Sequence, residues 1–241
     1  MAFEMRRDGA GAASVALPGA ITSAEAGFLR GVYGWMAAGL ALTAAVAFFT
    51  VSSPALLRLI FGNKLVFYAL LLGELGLVIG VSAAINRISA GTATALFLLY
   101  AGVNGLTLSA ILLVYTGASL AGTFFVAAGM FGAMTVYGAV TKRDLASWGS
   151  FLMMGLVGVV IAAVVNIFLR SDMVSWVMAM IGVIVFTGLA AYDTNKLRAM
   201  ARAGFADATQ ERKGAIIGAL ALYLDFINLF LMLLRLFGRR R

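Results

Sequence analysis

Apolar residues run through this chain in seven long stretches, and polar residues are gathered mainly in the short segments between them. The stretches fall at roughly 31–51, 65–84, 92–114, 119–140, 148–169, 173–192 and 216–237. Each holds about 20 residues, the length an α-helix needs to cross the hydrocarbon core of a bilayer. Seven membrane-spanning helices are therefore predicted. Thr22 and Glu25 have the spacing of a capping box, which starts a helix leading into the first span. Pro54, Gly62 and Asn63 punctuate the first connection, and only the short 115–118 turn separates the third and fourth spans. Those two spans are expected to be antiparallel neighbours. Residues 1 to about 21 are small, polar and glycine-rich, with Arg6 and Arg7 but no apolar run behind them. They read as a disordered tail rather than a secretory signal, followed by a single domain over 22–241.

Composition agrees with the pattern. Of 241 residues, 63% are hydrophobic and 12% charged, with a mean hydropathy of +1.01. A soluble domain carries roughly 25% charged residues, so the surface here must face lipid. The net charge of +8 gives no basic face with stacking aromatics, and no nucleic-acid partner is expected. Cysteine and histidine are both absent. That excludes disulfides, thiolate catalysis and every zinc or haem site built on those side chains, and no cofactor is expected. It also leaves a carboxyl group as the leading proton switch near neutral pH.

Lysine and arginine counts orient the chain. With the N-terminus inside, Arg58, Lys64, Arg170, Arg235, Arg239, Arg240 and Arg241 lie outside, seven of the 18, and the other eleven lie in the cytoplasm. One feature conflicts. Four of those seven sit at the C-terminal end, and an arginine-rich tail prefers the cytoplasm. A re-entrant or central last segment would reconcile the two.

Three acids lie in apolar surroundings. A charge at the bilayer centre costs at least about 2.5–3.5 kcal/mol, so such residues face the bundle interior and commonly serve function. Glu74 sits in LLLGELGLVIG, Asp193 closes the sixth span in VFTGLAAYDTNKL, and Asp225 sits in ALYLDFINLFLMLL with Asn228 at i+3. Asp193 reads equally as a helix-end residue paired with the basic loop that follows. Glu74 reads alternatively as the partner of an arginine. Tyr100, Asn104, Tyr137 and Asn166 read as interhelical hydrogen bonders. Two carboxyls brought together in a low dielectric resist double ionisation, so the pair would share a proton, then separate or bind a cation when both ionise. Calcium takes six to eight oxygen ligands. Asp193 and Asp225 with Asn228 and backbone carbonyls would make only a weak, partly hydrated metal site, suited to passage rather than storage.

FLRGVYGWMAAGLALTAAVAF at the first span, GVIVFTGLAAYDTNKL at the sixth and ALALYLDFINLFLMLLRLFG at the seventh resemble the Bax inhibitor 1 family, also called the transmembrane Bax inhibitor motif family. The resemblance runs from about residue 28 to the end. It implies an all-α membrane protein, a seven-transmembrane-helix bundle whose last helix is central, with two groups of three wrapped around it. It also implies a pH-sensitive calcium leak, gated by aspartates on the sixth and seventh helices. Asp193 and Asp225 occupy those positions, and Glu74 matches the acid of the second helix. The family's latch arginine, which pairs with the sixth-helix aspartate, would fall near Ile85; the nearest candidate here is Arg87. The connection between Asp193 and Asp225 carries Arg202, Asp207, Glu211, Arg212 and Lys213 and reads as a long solvated loop.

The expected function is thus a pH-sensitive calcium leak channel, with the lipid bilayer and calcium ions as partners. The alternative is a non-conducting regulator that binds other membrane proteins, such as a protease or a stress factor. Enzyme readings fail. An intramembrane aspartyl protease needs Gly-x-Gly-Asp where Tyr223 and Leu224 precede Asp225, and a retinal protein needs a lysine that the seventh span lacks. Lack of a targeting signal and short polar loops fit a multi-pass protein of the bacterial inner membrane.

Overall fold

Thr22 begins the first helix as its spacing requires. Its hydroxyl accepts from the Glu25 amide at 3.2 Å, and the Glu25 carboxylate accepts from the Thr22 amide at 3.0 Å. The computed structural model describes residues 22–241, so the tail expected over 1–21 lies outside the described residues. Eight helices follow: α1 (Ser23–Val51), α2 (Pro54–Phe61), α3 (Lys64–Ala84), α4 (Ala90–Val114), α5 (Gly117–Val140), α6 (Ala146–Leu169), α7 (Asp172–Ala203) and α8 (Ala208–Phe237). Ser53, Asn63, Ser89, Thr116, Ser171 and Asp207 cap the starts of α2, α3, α4, α5, α7 and α8 with their side chains. Each such cap is worth about 1 kcal/mol by satisfying an amide that the helix leaves unbonded.

All seven expected spans are present, and seven of the eight helices are long and apolar enough to cross a membrane. The exception is α2, eight residues long, which the first connection hides behind Pro54. Pro54 opens it because a missing amide hydrogen costs nothing in a first turn. The long solvated loop expected after Asp193 is corrected: α7 continues to Ala203, α8 begins at Ala208, and only 204–207 are non-helical. The physical reason is that hydropathy registers where a helix leaves lipid, not where it ends. Arg202, Glu211, Arg212 and Lys213 sit on helical turns.

The packing is concentric. α8 is the centre, with α1, α4, α5 and α7 against it; α3 packs on α4 and α6 on α7 at the outside. Thus α1, α3 and α4 form one group and α5, α6 and α7 the other. Burial follows the same order, with 67% of the most apolar stretch of α8 inside the protein against 6% for α3. Lipid-facing Phe125, Phe151 and Phe168 are exposed, as a surface solvated by acyl chains allows. α8 crosses the whole bundle. Its start lies near α1, where Phe28 and Phe205 stack at 4.9 Å; its far end runs into residues 239–241, which pair with the α4–α5 turn. The re-entrant alternative for the last segment is therefore set aside.

Two glycines permit the closest helix approaches. A Cβ at Gly105 would stand 2.7 Å from the Thr43 carbonyl oxygen on α1, and one at Gly138 would collide with the Ala191 backbone on α7. Gly76 and Gly80, which have GxxxG spacing, meet nothing within 4 Å.

Candidate functional site

Asp193 lies on α7 and Asp225 on α8, and the two helices pack along their length. The neighbours of Asp193 fix α7 in place. Thr194 is fully buried, its hydroxyl 2.8 Å from that of Tyr33 on α1 and donating to the Ala190 carbonyl at 2.8 Å. The Asn195 amide donates to the Gly138 carbonyl on α5 at 3.2 Å, where the glycine lets the two backbones meet. So held, the half-buried Asp193 carboxyl lies within hydrogen-bonding reach of the Asp225 carboxyl. Asp225 is 5% exposed, and its Oδ2 has no hydrogen-bond partner among the described residues. A carboxyl–carboxyl hydrogen bond needs a proton on one side, because an ionised carboxylate only accepts. Lys196 is the nearby cation, on the exposed side of Asp193.

A second polar cluster lies on the other side of α8. Glu74 on α3 accepts from the Asn104 amide at 3.1 Å and from the Thr107 hydroxyl at 2.7 Å, both on α4. Asn104 Oδ1 accepts from the Tyr223 hydroxyl at 2.9 Å, and that hydroxyl lies 2.7 Å from the Thr43 hydroxyl on α1. The chain Glu74–Asn104–Tyr223–Thr43 therefore ties α3, α4, α8 and α1 together inside the membrane region. Tyr223 and Asp225 are two residues apart on one helix and face opposite ways. Glu74 and the aspartate pair are not brought into contact.

Two other candidates stand apart from the pair. Arg87 is exposed in the turn between α3 and α4, and its side chain makes no hydrogen bond or ion pair with the described residues. The latch expected between Arg87 and Asp193 is thus absent from this arrangement. The Asn228 amide donates back to the Leu224 carbonyl at 2.8 Å, within its own helix. Among the described residues no three of Asp, Glu, His or Cys gather. A calcium ion at Asp193 and Asp225 would draw its remaining ligands from carbonyls and water, consistent with a weak site.

Against known proteins, the chain matches the family described as Inhibitor of apoptosis-promoting Bax1 over residues 25–241. The chain belongs to this family. It is 53% identical over 215 residues to the inner membrane protein YbhL of Escherichia coli K12, covering 89% of this chain and 92% of that protein. An uncharacterized protein of Borreliella burgdorferi is 45% identical over 214 residues, covering 89% and 92%. One of Caulobacter vibrioides is 38% identical over 222 residues, covering 89% of each. With seven helices of spanning length, this member of the Bax1-inhibitor family is a multi-pass integral membrane protein.

Sequence reasoning missed one cluster in this family member. Glu25, read from its spacing only as a cap, also carries an ion pair with Arg202 at 2.6 Å and another with Arg198 at 3.7 Å. Both Glu25 and Arg198 are buried. The signal was the i, i+4 spacing of Arg198 and Arg202, which places both on one face once α7 is known to continue past Asp193. Asn104 and Thr107, at i, i+3 on α4, were the matching signal for Glu74.

Proposed function

We propose that this protein is a proton-gated cation leak pathway of the bacterial inner membrane, with calcium as the transported ion and Asp193 and Asp225 as its proton sensor. The observation that carries the reading is the Asp193–Asp225 contact, built on the most buried helix of the bundle with one Asp225 oxygen left unbonded. Burial of a carboxyl at such a place is costly and is tolerated chiefly where it works. While the pair shares a proton, α7 and α8 are held together at that depth. Loss of the proton leaves two adjacent carboxylates that repel, and they either part or accept a divalent cation from the pathway. Membership of the Bax1-inhibitor family supports the same reading.

The test is calcium flux into liposomes carrying the purified protein, measured between about pH 6 and 8. Wild type, Asp193→Asn, Asp225→Asn and the double variant are compared. Asn keeps the shape and removes the charge. Each single variant should flatten the pH dependence, and the double variant should add little, because the two groups act as one. Full pH dependence in the double variant overturns the sensor. Flux no greater than in protein-free liposomes overturns conduction and favours a non-conducting regulator of other membrane proteins.

A further inference from the structure

The arginines at 239–241 conflict with the charge pattern of the rest of the chain, and the structure gives them a setting. Helices α1 and α5 do not pack closely on one another; both lean on α8 and leave a crevice between them. Its volume is about 580 Å³, and its walls include Ala44, Phe48, Leu112, Ala121 and Phe230. That volume is within the roughly 300–1,000 Å³ of small-molecule sites. Thr43, already bonded inside the protein, is its one uncharged polar wall residue. The single charged wall residue is Arg241.

Arg241 is set at the mouth by its backbone. The Arg241 amide donates to the Val114 carbonyl at 2.9 Å, and the Thr116 amide to the Arg239 carbonyl at 3.1 Å. The Arg239 amide donates to the Ser119 hydroxyl at 3.0 Å. The segment is thereby stitched across the α4–α5 turn, and Val51, Leu113 and Gly117 line the same end of the crevice. Arg239, Arg240 and Arg241 are all exposed, and none pairs with an acidic side chain among the described residues. A guanidinium carried on that anchored backbone beside an apolar slot matches one kind of molecule, with a long hydrocarbon tail and an anionic head.

We propose that this crevice binds one acyl chain of an anionic phospholipid, with the lipid phosphate held by Arg241 and its two arginine neighbours. Arginine suits the task, since its planar fork bonds phosphate oxygens bidentately and stays charged at every physiological pH. Apolar walls favour the chain over water, whereas a cation would find no ligand there. A basic segment on the face that usually carries fewer cations is then a headgroup site rather than a topological exception. The inference is independent of whether the protein conducts.

The experiment is native mass spectrometry of the purified full chain, equilibrated with equal amounts of phosphatidylglycerol and phosphatidylcholine of the same acyl chains. Wild type should retain one phosphatidylglycerol with a preference of about tenfold, as expected for a charge-assisted contact. Arg239→Gln, Arg240→Gln and Arg241→Gln combined should equalise the two lipids. Ala121→Trp, which fills the slot, should abolish retention of either, while Phe125→Trp on the outer lipid face should leave it intact. Equal retention of both lipids by wild type overturns the headgroup assignment. Retention unchanged in Ala121→Trp, with its thermal unfolding equal to that of wild type, overturns the crevice as the binding site.

Discussion

Glu25 and Arg87 make opposite cases for what a charged residue does at a helix end. Glu25 terminates nothing by itself, yet its carboxylate caps α1 and receives Arg202 from the far end of α7, with Arg198 beside it. Three functions meet in one buried group, so its removal is felt on two helices. The Arg87 side chain is exposed and has no hydrogen-bond or ion-pair partner among the described residues. Glu25→Gln should therefore lower stability by about 1.5–3 kcal/mol, the worth of a hydrogen bond to a charged group. Arg87→Ala should change it by no more than about 0.5 kcal/mol, as surface substitutions do. Denaturant unfolding in detergent micelles measures both. A large loss in Arg87→Ala would mean that the turn it occupies is held by a contact absent from this arrangement.

Helix pairing is decided by shape rather than by charge. α1 and α4 approach so closely at Gly105 that a side chain there must displace the Thr43 carbonyl or the Val46 side chain. Gly105→Val should cost about 1–3 kcal/mol as overpacking, and the same thermal or denaturant measurement should find Gly76→Val near neutral, since its Cβ meets nothing. Equal effects at the two positions would show that lipid, not α1, fills the space beside Gly105. This contrast was not legible in sequence, where the GxxxG pair at Gly76 and Gly80 is the more conspicuous pattern. Spacing reports which residues share a face; it does not report which face meets a partner. The spans themselves were legible, because an apolar run of bilayer length seldom occurs except in a membrane-crossing helix. Their ends were not. α7 and α8 run on through charged turns in water, where hydropathy falls and the backbone hydrogen bonds do not. The aspartate pair was legible for the reason the spans were, as carboxyls stand out in apolar surroundings. Glu25 did not stand out, because an acid three residues past a threonine is what an ordinary helix start calls for.

At the scale of the molecule, the ends of the helices sort into two sets. The Glu25–Arg202 pair places the start of α1 beside the end of α7, and the four-residue connection 204–207 places the start of α8 with them. The α4–α5 turn and residues 239–241 bond to one another at the opposite end. Helices alternate in direction between these ends, so Lys64 at the start of α3 belongs with the second set. Seven crossings put the two ends of the described chain on opposite faces. The positive-inside rule assigns the Glu25 end to the cytoplasm, as the eleven-to-seven distribution of basic residues requires. A cysteine-free chain makes this directly measurable. Ser23→Cys and Ala208→Cys should be labelled by a membrane-impermeant maleimide only in inverted vesicles. Lys64→Cys should be labelled only in right-side-out cells or spheroplasts. Labelling of Ser23→Cys and Ala208→Cys from different faces would contradict the packing of α1 against α7 and α8. Labelling of the full set from the reversed faces would keep the fold and reverse its orientation, placing Arg239, Arg240 and Arg241 in the cytoplasm. The charge distribution argues against that reversal, because it would strand eleven of the 18 basic residues outside.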